Sequence, residues 1–428
     1  MNTQLKTTAL HQWHRDAGAN MAQFGGFDMP LWYETGVKNE HLAVLTSAGI
    51  FDTSHMACIM VSGKDAFDLL NFCFTRDLGT LNMGRCVYGA FLDEAGFCMD
   101  DAIVYKFDET RFMVCVNAGM GGVVSSHITA QKNKMDVLIE DLSGKVGKMD
   151  IQGKNAAKIL SKLIKNPEIV FNKMPYFSFK GHFLDEEPDG RPIEKSGEKS
   201  NEVPGKVFLL DGTPILLSRS GYTGEFGFEI FLDPAAIEAL WKETLRVGAP
   251  FGIMACGLGA RDSLRAGACL PLSHQDIGPW KFCNHPWTFA LPSVPDQTTF
   301  TKDFLGAKAL AETCDTYVFP FVGETLRKVN APDATVLNEN QENIGRVLTC
   351  ATDMGIDWLD DKIVSINTKN LPQEKKIKGI SCGFVMVSTP LEPGTKLTLK
   401  EGKRSIPVTI VTDIRPDRTA RMKLDNFI

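Results

Sequence analysis

The sequence predicts an α+β fold that ends in a β-barrel, and three observations carry that expectation. Helical and strand-like runs lie next to one another through the first two thirds of the chain. A glycine turn at Gly96 feeds two acids, Asp100 and Asp101, into an apolar β-type run at 102–105. Beyond about residue 295 short strands and turns dominate, the texture of a barrel or sandwich.

Taken in order, residues 8–22 carry His11, Trp13, His14 and Met21 in a helix-like pattern. Gly25-Gly26-Phe27-Asp28-Met29-Pro30 then reads as a hairpin or loop. A helix is expected over 40–48, where Leu42, Val44 and Leu45 form a partial apolar face, and another over 64–72 after the Gly63 break. Ile59-Met60-Val61 is a short strand, and 88–92, 102–107 and 111–116 are strand-like runs separated by turns. A second unit opens at Lys148-Met149-Asp150-Ile151-Gln152-Gly153, with a helix over 155–163. Residues 181–205, rich in Asp, Glu, Lys, Pro and Gly, read as an exposed insertion. Strands follow at 207–210, 214–218 and 226–231, then helices over 234–247 and from Gly257. The barrel strands are expected at 317–321, 344–348, 380–387, 395–399 and 406–411. This divides the chain into a region of two interleaved α+β domains, 1–294, and a β-barrel domain, 295–428.

Composition narrows the function. A net charge of −6 without any basic run argues against nucleic acid or an anionic membrane as partner. No stretch approaches the roughly 18 apolar residues of a membrane span, and the N-terminus has no apolar signal core, so a cytoplasmic location is expected. The eleven cysteines are scattered without a CxxC pair, which points to reduced thiols packed as small core residues. The eight histidines show no metal-ligand spacing, so no metal site is expected. His55 is a possible base, but a lone histidine is more often a structural hydrogen-bonder. No nucleophile elbow, HExxH pair or phosphate loop occurs.

The acid pair stands out physically. Neighbours on a strand point to opposite faces, so only one of Asp100 and Asp101 is expected to face inward. An inward carboxylate is costly unless it meets a partner. Around it stands an ordered set of short motifs: Gly-Phe-Asp-Met-Pro at 26–30, Phe-Asp-Thr-Ser-His-Met at 51–56, Met-Asp-Asp at 99–101, and Asn117-Ala118. Ile-Gln-Gly at 151–153, Gly-Tyr-Thr-Gly-Glu at 221–225 with Glu229, and Gly-Leu-Gly-Ala-Arg-Asp-Ser-Leu-Arg at 257–265 complete it. In order and spacing these motifs resemble the aminomethyltransferase (glycine-cleavage T-protein) family over residues 8–275, and weakly again at 302–306 and 343–345.

The resemblance implies a three-domain, tetrahydrofolate-binding T-protein-like fold around a central cavity, closed by the C-terminal β-barrel. It implies that Asp101 is the catalytic aspartate and Glu229 the pterin-binding glutamate. Met56, Tyr88, Asn117, Tyr222 and Arg261 would contribute to the folate site. The residue types suit the task. A buried carboxylate accepts two adjacent pterin donors, tyrosines pack on flat rings, and an arginine pairs with a carboxylate. For Arg261 the rival reading is a structural ion pair with an acid such as Asp262. The implied reaction is transfer of an aminomethyl group from lipoylated H-protein to tetrahydrofolate, with release of ammonia. The alternatives are a tetrahydrofolate-dependent demethylase taking a methyl group from a small sulfonium, methylamine or methoxy donor, and a non-catalytic folate-binding regulatory protein. After Leu264-Arg265 the family's usual Leu-Glu pair is missing. The following 278–287 stretch, with Trp280, His285 and Trp287, reads as a packed junction or an aromatic donor pocket. Arg415 and Arg418 are candidates for a tail contact to folate.

Overall fold

The computed structural model describes residues 4–183, 206–292, 299–312, 314–331 and 333–428. Most of the expected 181–205 insertion lies outside the described residues. Two sheets form the centre. The first has five antiparallel strands in the order Arg85–Leu92, Cys98–Lys106, Arg111–Val116, Ala57–Ser62, Leu138–Asp141. The second has the order Phe179–Lys180, Pro214–Ser218, Gly227–Leu232, Gly147–Gln152, Ala48–Asp52, Ile253–Ala255, with Val207–Phe208 paired to Pro214–Ser218. Ala48–Asp52 and Ala57–Ser62 are successive in sequence but belong to different sheets, so the chain crosses from one to the other at residues 53–56.

Period-2 alternation sorts each strand into two buried faces. On the outer face of the first sheet, Ile59, Val61, Val104 and Val114 pack under the helices Ala66–Cys73 and Gly121–Gln131. On the outer face of the second, Met149, Ile151, Phe228 and Ile230 pack under Ala156–Leu160 and Ile237–Gly248. Full burial of each large apolar side chain contributes about 1.5–3 kcal/mol. The inner faces meet through Met60, Tyr105, Met113, Leu216 and Phe231. The result is a helix–sheet–sheet–helix stack. Polar residues on the inner faces are therefore enclosed between layers rather than solvated.

The C-terminal strands close into a barrel in the order Tyr317–Gly323, Ile380–Val387, Asn343–Asp353, Thr335–Leu337, Lys396–Glu401, Arg404–Ile410. The expected strands are all present; Thr335–Leu337 and the helix Gly121–Gln131 were not anticipated. At the other end, helix is confined to His11–Asp16, and Asn20–Phe24 pairs with Phe27–Trp32 as the glycine-turn hairpin. The expectation of reduced thiols fails for one pair: Cys283 and Cys314 are joined. They are 31 residues apart, and backbone pairing of Val318 to Asn284 at 2.8 Å brings their segments together, which spacing rules cannot reveal. The other nine cysteines are free and mostly buried.

Candidate active site

The Gly96 turn closes a hairpin between Arg85–Leu92 and Cys98–Lys106, with a bulge just ahead of the acid pair. Both acids are buried, Asp100 at 0% and Asp101 at 9% exposure, against the expectation that one would face out. The reason lies in the neighbouring strand. Pairing with Arg111–Val116 stops at Ala102–Val116, so both acids lie beyond that ladder. Asn117 takes its place. Its backbone N–H donates to Asp100 Oδ2 at 2.9 Å, and its side-chain amide donates to Asp100 Oδ1 at 2.8 Å and Asp101 Oδ1 at 2.6 Å. Ser273 Oγ donates to Asp100 Oδ1 at 2.8 Å, and Tyr88 Oη donates to Asp101 Oδ2 at 2.7 Å. Burial, and then the Asp100 charge, push the Asp101 carboxyl up to about 6, against the opposing pull of Tyr88, Asn117 and His274.

Across from this cluster, the second sheet turns a charged face inward. Asp150 and Glu229 are directly opposed cross-strand partners, an arrangement that repels unless a cation joins it. Two cations do. Lys148 Nζ lies 2.8 Å from Asp150 Oδ1 and 2.5 Å from Glu229 Oε1, and donates to Thr53 Oγ1 at 3.1 Å. Arg261 Nη1 lies 2.7 Å from Asp150 Oδ2. Burial opposes the charge of Asp150, yet Lys148 and Arg261 hold its carboxyl down to about 2. The same two acids keep the buried Lys148 protonated despite its desolvation. Glu229 Oε2 is buried and has no hydrogen-bond partner among the described residues.

Tyr222 spans the two clusters. The Arg261 guanidinium lies 4.9 Å from its ring, and the hydroxyl, which donates to Pro271 O, is within electrostatic reach of both Asp101 and Arg261. Its turn is shaped by glycines. A Cβ at Gly221 would overlap the Gln152 carboxamide, and Gly224 adopts φ +75°. Gln152 in turn donates to Ser220 O and Phe228 O and accepts from Thr223 Oγ1 at 2.9 Å. The 151–153 and 221–225 motifs are thus one interlocked unit. The helix Leu258–Gly267 delivers Arg261, and Gly257 and Gly259 let its start approach Leu31.

Among the sequence-predicted residues, Asp101, Tyr88 and Asn117 form one hydrogen-bonded group, and Glu229 and Arg261 belong to the other. Met56 packs at the edge of the inter-sheet cluster. The rival partner for Arg261 is corrected: Asp262 pairs with Arg265 at 2.7 Å, and Arg261 turns to Asp150. Lys148 and Asp150 were not foreseen as site residues. The signal was their inward register opposite Glu229. His55 is buried, has an unpartnered Nδ1, and is pulled down to about 4 by burial, so it is neutral. The tail arginines are occupied: Arg415 pairs with Asp353 at 2.5 Å and Glu225 at 3.2 Å, and Arg418 with Asp413 at 2.7 Å. Trp287 is buried against Phe384 of the barrel and its indole donates to Cys269 O, which favours the packed junction over an aromatic donor pocket.

Comparison with known proteins bears on the fold and the family. The family described as the GCVT N-terminal domain matches residues 10–188 and 205–281. An aminomethyltransferase of Desulfitobacterium hafniense is 36% identical over 277 residues, covering 65% of this chain and 68% of that protein. One from Leptospira biflexa is 37% identical over 287 residues, covering 67% and 68%. The crystal structure of the glycine cleavage system aminomethyltransferase T from Bartonella henselae superposes with a TM-score of 0.73 at 25% identity, covering 95% of this chain and 97% of that one. Motif order, the two facing sheets with their closing barrel, and these relatives agree: this chain belongs to the aminomethyltransferase family.

Proposed function

We propose that this protein transfers an aminomethyl group from the lipoyl arm of an H-protein to tetrahydrofolate and releases ammonia. The observation that carries the folate half is Glu229: one oxygen is fixed by Lys148 and the other is buried and free to accept. Such an oxygen, desolvated and aimed between the sheets, is a costly feature unless a donor arrives to meet it. The amino group and ring N–H of a pterin edge supply such donors, in charge-assisted bonds. Lys148, Asp150 and Arg261 hold the glutamate rigid, so little orientation entropy is lost on binding.

Tetrahydrofolate supplies the nucleophilic nitrogen N5, and the transferred carbon becomes a methylene bridge to N10. The chain's own residues do the rest. Tyr222 packs along the bound rings. Asp101, held by Tyr88 and Asn117, presents a carboxylate above about pH 6 that stabilises positive charge developing at the reacting nitrogens. With its proton affinity raised, it also exchanges a proton near neutrality. Alignment by Glu229 at one end and Asp101 at the other supplies the proximity term.

The test is a product assay with purified protein and tetrahydrofolate. Aminomethylated H-protein is offered in one set and small methyl donors in another. Formation of 5,10-methylene-tetrahydrofolate and ammonia from H-protein is expected. Formation of 5-methyl-tetrahydrofolate from a small donor, or folate binding with no product in either set, would overturn the proposal.

A further inference from the structure

Asp100 takes no part in the function proposed above, although it is the more deeply buried of the two acids. It accepts hydrogen bonds from Asn117 N, Asn117 Nδ2 and Ser273 Oγ, and His274 Nε2 lies 3.5 Å from Oδ1. His274 is unusual in two respects. Its backbone sits at φ +64°, a left-handed conformation costly for a residue with a Cβ. Its side chain is 52% exposed, so one side of the ring meets solvent while Nε2 faces a fully buried carboxylate. The loop that holds it is pinned from behind. Asp276 Oδ2 accepts from Leu272 N at 2.9 Å and pairs with Arg265, and Asp276 Oδ1 accepts from Thr349 Oγ1 at 2.6 Å. A strained residue persists where its surroundings over-determine it, and such residues cluster at functional sites.

The Asn117 amide links this group to Asp101. One of its two N–H bonds goes to each acid, and its backbone N–H is fixed by Asp100 as well. A flipped amide would set its carbonyl oxygen against two carboxylates. Asn117 therefore has one orientation, and Asp100 sets it.

We infer that Asp100 and His274 form a positioning pair that acts through Asn117 on Asp101: Asp100 aims the amide that holds Asp101, and His274, reached from solvent, balances the second buried acid. This rests on Asp101 being the proposed catalytic carboxylate, but the geometry does not depend on which donor is used. The ionisable groups that face Asp101 are Tyr88 from the Arg85–Leu92 strand, Cys98 and Asp100 from its own strand, Tyr222 from the 221–225 turn and His274 from the 271–277 loop. Of these, Asp100 raises the proton affinity of Asp101 and His274 lowers it. The Asp100 contact in turn raises that of His274.

The pair predicts shifts of opposite sign, which a merely structural role does not. The variants are Asp100→Asn and His274→Asn; asparagine tolerates the left-handed backbone, so the loop keeps its path while the imidazole is lost. The Asp101 carboxyl is titrated by carbon-13 NMR, with its signal assigned by its loss in Asp101→Asn. This readout needs no turnover, so it stands apart from the success of the product assay. The titration midpoint falls by about one pH unit in Asp100→Asn and rises in His274→Asn. Where turnover is measured, the acid limb of kcat follows the same signs while KM for tetrahydrofolate stays within about twofold. Superimposable Asp101 titrations in the parent and both folded variants would overturn the inference, as would shifts of the same sign.

Discussion

Replacing Asp101 by asparagine should abolish transfer and at the same time stabilise the fold. Burial and the Asp100 charge lift the Asp101 carboxyl from its ordinary 3.8 to about 6. A carboxyl raised on folding binds its proton more tightly in the native state. Its ionisation therefore costs nothing below about pH 4, and the cost is complete once the pH has risen through about 6. A shift of about two units corresponds to roughly 3 kcal/mol at pH 7. Asparagine resembles the protonated form in shape, with its oxygen accepting from Asn117 and its amino group donating to the Tyr88 hydroxyl. Asp101→Asn is therefore expected to raise stability by about 2–3 kcal/mol at pH 7, with the gain vanishing towards pH 4. The assay is urea denaturation of parent and variant at pH 4, 5, 6 and 7, with tryptophan fluorescence as probe. A loss of stability at pH 7, or a gain that does not depend on pH, would show that the buried Asp101 charge does not destabilise the fold.

Glu229→Gln is expected to weaken tetrahydrofolate binding by about 100-fold, since roughly 3 kcal/mol of charge-assisted bonding is lost; isothermal titration calorimetry checks it. Lys148→Met leaves Asp150 and Glu229 opposed and buried without their shared cation, and should cost about 3–5 kcal/mol in chemical denaturation. Acid unfolding follows the opposite sign to Asp101. Lys148 and Arg261 hold Asp150 down to about 2, and Arg415 and His41 also depress Asp353 against the effect of burial. The stability these acids contribute is full above about pH 4 and lost as pH falls through their lowered values, about 2 kcal/mol of it from Asp150. Circular dichroism against pH should show that loss, and Asp150→Asn should lack the Asp150 share of it while keeping the share from Asp353.

Much of this fold was legible in the chain because its turns are marked by glycine and its strands keep a two-residue period. Gly96 announces the hairpin that carries the acid pair, and the barrel strands near 317, 344, 380, 396 and 406 appear where their apolar runs stand. What escaped was any property decided by the partner strand. Alternation alone assigns one of Asp100 and Asp101 to solvent; the early end of the neighbouring ladder, and Asn117 in its place, bury both. In Lys148-Met149-Asp150-Ile151-Gln152 polar and apolar residues alternate, which gives the strand one polar, wet face. The wet face is closed by a second sheet, which turns an ordinary pattern into a charged interior. The helix Gly121–Gln131 was missed because its paired glycines and serines have weak helical propensity; packing against the first sheet holds it.

In the proposed function, one tetrahydrofolate molecule bridges the two clusters, with its pterin edge on Glu229 and its N5 facing Asp101. A crystal structure of the protein soaked with tetrahydrofolate tests this most directly. Pterin donors are expected within hydrogen-bond distance of Glu229 Oε2, with N5 on the Asp101 side of the ring. Folate bound elsewhere, with Glu229 Oε2 still unpartnered, would contradict it.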